Sequence, residues 1–89
     1  MEVSWKVTYK ESVQKDLKKI SKDIKYIIRR AIEEKLMVDP LKYGLPLRRT
    51  LKGYMKLRVG NYRIIYSISK NTVTVHVVKI GHRKDVYEK

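Results

Sequence analysis

The sequence predicts an α+β domain. It comprises an N-terminal strand, a helical hairpin and an antiparallel three-strand meander, forming one sheet with the helices packed on one face. Three observations carry this. Hydropathy alternates with period two at the N-terminus, changes to spacings of three and four from Glu11 to Met37, and returns to period two in three runs after Gly53. The turns between those last runs are short, which makes them an antiparallel meander. The chain has 89 residues, enough for one domain over 1–89, with a core built from one small sheet and a helix or two.

Each element follows from its residue types. Val3, Trp5, Val7 and Tyr9 alternate with Ser4, Lys6, Thr8 and Lys10, a pattern of β-branched and aromatic residues that reads as a strand with one buried face. Val13, Leu17, Ile20, Ile24, Ile27, Ala31 and Ile32 fall at helical spacing, with Lys, Arg and Glu between them. Ser21 followed by Asp23 supplies an N-cap and an acid in a first turn, so the helical region is expected to break near Ser21. Asp39-Pro40 ends it. Gly44, Pro46 and Gly53 then mark an irregular connection whose Leu41, Leu45, Leu47 and Leu51 need something to pack against. The meander strands are Tyr54 to Val59, Tyr62 to Ser69 and Thr72 to Ile80, joined by turns at Gly60-Asn61 and Lys70-Asn71. Met55, Leu57 and Val59 share one face, Tyr62, Ile64, Tyr66 and Ile68 another, and Val73, Val75 and Val77 a third.

Charge narrows the function. Lys and Arg number 22 against 9 acids, a net charge of +13, and the pI is about 10.1. Such a chain seeks polyanions, nucleic acid first. The excess is concentrated. Between Pro40 and Lys84 there is no Asp or Glu, so the C-terminal half is purely basic and should carry the phosphate-binding surface. That stretch offers Arg48, Arg49, Lys52, Tyr54 and Lys84 as RNA-binding residues. No apolar run approaches the roughly 20 residues of a membrane span. The N-terminus enters strand alternation directly, without the pattern of a signal peptide, so the cytoplasm is the expected compartment.

The same composition excludes several chemistries. Without cysteine there is no disulfide framework, thiolate nucleophile or Cys-based metal site. Two-metal nucleases hold Mg²⁺ with carboxylates, which the basic half lacks until Asp85, and His76 and His82 show no metal-ligand spacing. No metal and no cofactor is therefore expected. RNA, however, carries its own nucleophile in the 2′-hydroxyl. Its cleavage needs a base, cations to hold the phosphorane charge and an acid for the leaving oxygen. Lys56 and Arg58 lie two residues apart on one strand face, with Arg63 just beyond the turn. The segment Gly81 to Tyr87 adds a group titrating near neutrality (His82), a fixed cation (Arg83) and an aromatic hydroxyl (Tyr87). An ordinary solvated strand face and a basic tail with a packing tyrosine are the structural alternatives.

These runs resemble a known family. Leu51 to Tyr66, containing Leu57-Arg58-Val59-Gly60-Asn61-Tyr62-Arg63-Ile64-Ile65-Tyr66, followed by Val77 to Tyr87, containing Gly81-His82-Arg83-Lys84-Asp85-Val86-Tyr87, is similar to the RelE/ParE superfamily of toxins from type II toxin–antitoxin systems. The order of elements fits over nearly the whole chain. The resemblance implies a metal-independent, ribosome-dependent endoribonuclease acting on mRNA in the ribosomal A site, neutralised by a cognate antitoxin. It implies Lys56 as the sheet lysine that serves as base. Arg58 and Arg63 would hold phosphate, Arg83 would serve the leaving group, Tyr87 would stack on the mRNA base, and His82 would be an acid or base. Some relatives carry a second lysine where this chain has Tyr54, which alters the local charge around Lys56. The rival readings are a ParE-like toxin acting on DNA gyrase without nuclease activity, and a non-catalytic RNA-binding module.

Overall fold

A computed structural model describes residues 4–47 and 53–83. Strand β1 (Lys6–Tyr9) leads into α1 (Val13–Lys18) and α2 (Lys22–Ala31), the latter continued by a π-helical turn over Ile32–Leu36. A short helix α3 (Pro40–Tyr43) and a two-residue strand β2 (Leu45–Pro46) precede the meander of β3 (Tyr54–Val59), β4 (Tyr62–Ser69) and β5 (Thr74–His82). The sheet order is β1-β5-β4-β3-β2. Only β1 runs parallel to its neighbour; every other pairing is antiparallel. A parallel pair needs a long crossover, and the helices provide it between β1 and the meander. Among the described residues, no helix is long and apolar enough to cross a membrane.

The helical region breaks at Ser21 as the capping residues predict. Ser21 is extended, and its hydroxyl accepts from the Ile24 N–H at 3.4 Å. Ile20, Ile28, Ile32 and Leu36 then face Leu57, Ile64, Tyr66, Val75, Val77 and Ile80 of the sheet, with Val13 from α1. All are buried, so the helices cover one face of the sheet only.

Three local features depart from the pattern in the sequence. The irregular connection contains the edge strand β2, with Leu45 opposite Lys56 and Pro46 opposite Met55; a two-residue strand with proline is too short to show period two. The last strand begins at Thr74 rather than Thr72 and extends to His82 rather than Ile80. Val73 is not in its apolar face but in the turn, at φ +50. That left-handed angle is unfavourable for a β-branched residue. It is held by the Val73 N–H to the Lys70 carbonyl at 3.3 Å and by the Lys6 N–H to the Val73 carbonyl at 3.0 Å. Finally, β5 carries a bulge. Ile65 opposes Lys79 and Tyr66 opposes Val77, leaving Val78 as the extra residue.

Two polar contacts fix the layers. The fully buried Tyr66 donates its hydroxyl to the Pro40 carbonyl at 2.7 Å. Gly44 lies against it, and a Cβ there would sit 1.7 Å from the Tyr66 hydroxyl oxygen. At the β1 edge of the sheet, β1 ends at Tyr9 and exposes the flank of β5. There Asp16 of α1, nearly buried at 11%, accepts from the Ile80 N–H at 3.1 Å and pairs with the Lys79 ammonium at 3.2 Å. A side chain thus replaces the missing strand partner.

Three outcomes test this. Gly44→Ala should destabilise the fold by about 1–3 kcal/mol or more through overpacking against Tyr66, measured by urea unfolding. Asp16→Ala should cost about 1–3 kcal/mol in the same assay, because it strands the buried Ile80 N–H. Burial pushes the Tyr66 hydroxyl from its ordinary 10.0 up to about 12. The folded state holds the protonated form, so this stability is complete below about pH 10 and is lost as pH rises from there through the folded value. The stability gap between wild type and Tyr66→Phe, about 1–3 kcal/mol at pH 8, should therefore narrow steadily between about pH 10 and pH 12.

Candidate nucleic-acid interface

The face of the sheet away from the helices carries the cations. Cross-strand partners point to the same side, so register alone places them. Tyr54 opposes Ser67, Lys56 opposes Ile65, and Arg58 opposes Arg63. Their alternates Met55, Leu57 and Val59 pack into the helix-side core, as do Tyr62, Ile64, Tyr66 and Ile68. The side taken by Arg63, which shares its parity with Ile65, is thereby settled: both face away from the helices. Arg58 is exposed, while Lys56 and Arg63 are half-buried.

Two arginines directly across a strand pair are unfavourable by themselves, because like charges in register repel by about 0.2–1 kcal/mol. The arrangement suits an anion that both can reach. Gly81 lies opposite Arg63 on the far side and adds no side chain to that row. Arg83 comes to the same end of the sheet: its N–H donates to the carbonyl of Asn61, in the tight turn between β3 and β4, at 2.8 Å. Gly60 opens that two-residue turn with φ +60, the glycine-first pattern of a type II′ hairpin. The turn therefore brings Arg58, Arg63 and the backbone of Arg83 to one corner.

Among the described residues, every carboxylate belongs to the helical layer or its connections: Glu11, Asp16, Asp23, Glu33, Glu34 and Asp39. Several are engaged there. Glu33 and Glu34 pair with Arg29 and Arg30 one helical turn earlier, Asp16 holds Ile80 and Lys79, and Asp39 caps α3. No three His, Asp or Glu side chains among the described residues gather as metal ligands.

His82 does not join the cations. It opposes Tyr62 in register, and the two rings meet edge to face at 5.3 Å, on the helix side of the sheet. The bulge at Val78 explains this. Counting parity along β5 without the extra residue gives the wrong side for everything after it. His76 lies at the other end of the strand, where its Nδ1 is 2.7 Å from the Thr8 hydroxyl. Of the remaining candidates, Tyr54 is exposed beside Lys56. Arg48, Arg49, Lys52, Lys84 and Tyr87 lie outside the described residues.

The open face also holds an apolar group that alternation in single strands does not reveal. Leu47 and Ile65 are buried against each other, with Val78 packed on them. Leu47 continues β2, its N–H donating to the Tyr54 carbonyl at 2.9 Å, whereas Ile65 belongs to β4. Their contact therefore crosses over β3 beside Lys56. Leu45 opposes Lys56 from the other flank.

Comparison with known proteins agrees with this architecture. The family described as the ParE toxin of the type II toxin–antitoxin system parDE matches residues 7–87. Toxin RelG of Mycobacterium tuberculosis is 32% identical over 83 residues, covering 93% of this chain and 95% of that protein. Toxin RelE3 of Methanocaldococcus jannaschii is 30% identical over 86 residues, covering 93% and 96%. The crystal structure of the toxin–antitoxin complex RelBE2 from Mycobacterium tuberculosis contains a chain that superposes with a TM-score of 0.86 at 32% identity, over 93% of this chain and 95% of that one. With its sheet covered on one side and its cations on the other, this chain belongs to the RelE/ParE superfamily and is a type II toxin of the RelE family.

Proposed function

We propose that this toxin is a metal-independent endoribonuclease that cuts mRNA in the ribosomal A site by attack of the RNA's own 2′-hydroxyl. The observation that carries the reading is the register of Lys56, Arg58 and Arg63 on one face of β3 and β4, with Arg83 tied to the same corner. Lys56 removes the 2′-hydroxyl proton. Arg58 and Arg63 hold the scissile phosphate and its developing charge. Arg83 stabilises or protonates the leaving 5′-oxygen, and Tyr87 stacks on the base. A lysine base must lose its proton at working pH, and the neighbouring arginines favour that by repulsion. His82, whose ring meets Tyr62 edge to face, supports the end of β5. On this reading the base is Lys56, and His82 is the alternative.

Regulation follows from the same surface. A net charge of +13 with no carboxylate between Pro40 and Lys84 attracts the mRNA and the ribosomal RNA around it. Arg48, Arg49, Lys52, Tyr54 and Lys84 extend the contact with RNA. A cognate antitoxin with acidic or apolar segments neutralises the toxin in the cytoplasm; the Mycobacterium tuberculosis relative is a chain of such a complex.

A second reading has one observation in its favour: the family description names ParE. On that reading the toxin acts on DNA gyrase and cuts no RNA. The curated relatives RelG, RelE3 and a RelE of Mycobacterium tuberculosis bear RelE-type names, which favours the nuclease.

Primer extension on a translated mRNA after induction separates the readings. Wild type should produce new 5′ ends within codons. Arg83→Ala should reduce them by about 10²-fold or more and relieve growth arrest, with the fold intact by circular dichroism. DNA breaks with intact mRNA would select the ParE-like activity instead. RNA binding without cleavage would leave a non-catalytic module.

A further inference from the structure

Lys56 occupies a setting unusual for a lysine on an open sheet face. In the row across the sheet it stands between two aliphatic residues, Leu45 on β2 and Ile65 on β4. Leu47 reaches over β3 to touch Ile65, and Val78, displaced onto this face by the bulge, packs behind them. Leu47 and Ile65 are buried despite lying on the side the helices leave uncovered. No helix-side core needs these residues. They form a second, small apolar cluster whose position coincides with one lysine.

We propose that Leu45, Leu47 and Ile65 form an apolar collar around the stem of Lys56 that fixes the ammonium in place and withholds water from it, making Ile65 a positioning residue for proton abstraction. This rests on the nuclease reading above. The physical reason is that desolvation disfavours the charged form of lysine, and methylene stems pack on apolar neighbours. The collar performs a task that repulsion from a neighbouring lysine would otherwise perform, and position 54 is a tyrosine. The other groups facing Lys56 among the described residues are Tyr54 and Arg58 on its own strand, Arg63 and Ser67 on β4, and Lys79 on β5, whose ammonium is held by Asp16. β2 contributes only Leu45 and Pro46. The arginines act in the same direction as the collar, so variants that keep them isolate the apolar part.

The test reads Lys56 directly, in the isolated full-length toxin without RNA, by following its side-chain ¹³Cε and Nζ resonances with pH. Wild-type Lys56 should titrate at least about one unit below the ordinary lysine value near 10.4. Ile65→Thr, which keeps the shape of valine but adds a hydroxyl, should raise the midpoint by about half a unit or more, while Ile65→Val should leave it in place. Leu45→Ser, at a position 58% exposed, should shift it the same way and decides the matter if Ile65→Thr does not fold. The acid limb of the cleavage profile should move in parallel, giving about threefold to tenfold less cleavage at neutral pH. A wild-type Lys56 that titrates at the ordinary value, or a midpoint unmoved by both Ile65→Thr and Leu45→Ser, overturns the proposal. A low midpoint in a chain that cuts no mRNA sustains the collar and sinks the nuclease reading, so the two can fail separately.

Discussion

Strand β4 is the element that everything else must satisfy, because it is paired on both sides and faces two different environments. Tyr62, Ile64, Tyr66 and Ile68 point into the helix-side core, and Arg63, Ile65 and Ser67 point away from it. A slip of one residue would exchange these sets, burying an arginine and exposing a tyrosine that is otherwise fully covered. Several contacts hold the register against such a slip. The Gly60-Asn61 turn fixes β3 against β4. The Tyr66 hydroxyl reaches the Pro40 carbonyl, a bond that exists only if Tyr66 faces the helices. Gly44 permits it by offering no Cβ. The same alignment that protects the core sets Arg58 beside Arg63, so the position of the basic corner is a by-product of core packing.

The cost of that corner is electrostatic. Arginines in register repel one another, and the sheet's stability rests on the buried apolar layer on its other side, which contains no charged group among the described residues. Among the described residues, acids are confined to the helical layer and its connections, where they pair with cations one turn away, cap backbone groups or, at Asp16, reach across to Lys79 and Ile80 of β5. With no carboxylate between Pro40 and Lys84, neither the cation strands nor the connection leading to them supplies an intramolecular competitor for phosphate.

Much of this was legible in the residues, and the exceptions share a cause. Alternation in β3 is clean because its open face carries only polar residues, so the separation of Lys56 and Arg58 from Leu57 can be read directly, whereas in β4 the apolar Ile65 shares the parity of Arg63 and hides its side. The break at Ser21 is legible because capping is a local matter. What could not be read are features set by partners far away in the chain. Leu45 and Pro46 become a strand only because β3 lies alongside. Asp16 looks like any helix acid until the end of β1 leaves the Ile80 N–H without a partner. Val73 continues the valine alternation of β5, yet it lies in a left-handed turn because Lys6 binds its carbonyl there. Arg48, Arg49, Lys52, Lys84 and Tyr87, which rest on the sequence and the resemblance alone, fall outside the described residues.

The bulge at Val78 connects the fold to the site more closely than any single contact. Without it, β5 would continue the alternation set by Val75 and Val77, and position 80 would turn away from the helices while position 82 joined the cations. One added residue keeps Ile80 in the core, brings His82 against Tyr62 and turns Val78 onto the open face behind Ile65. The Asp16 carboxylate binds just past the bulge, at Lys79 and Ile80, where the covering strand β1 has ended. The bulge is thus anchored from the helical side and expressed on the other. Its consequence on the open face is Val78, packed against the Leu47 and Ile65 pair near Lys56. Without the irregularity, Leu47 and Ile65 would lose the β5 residue that packs against them.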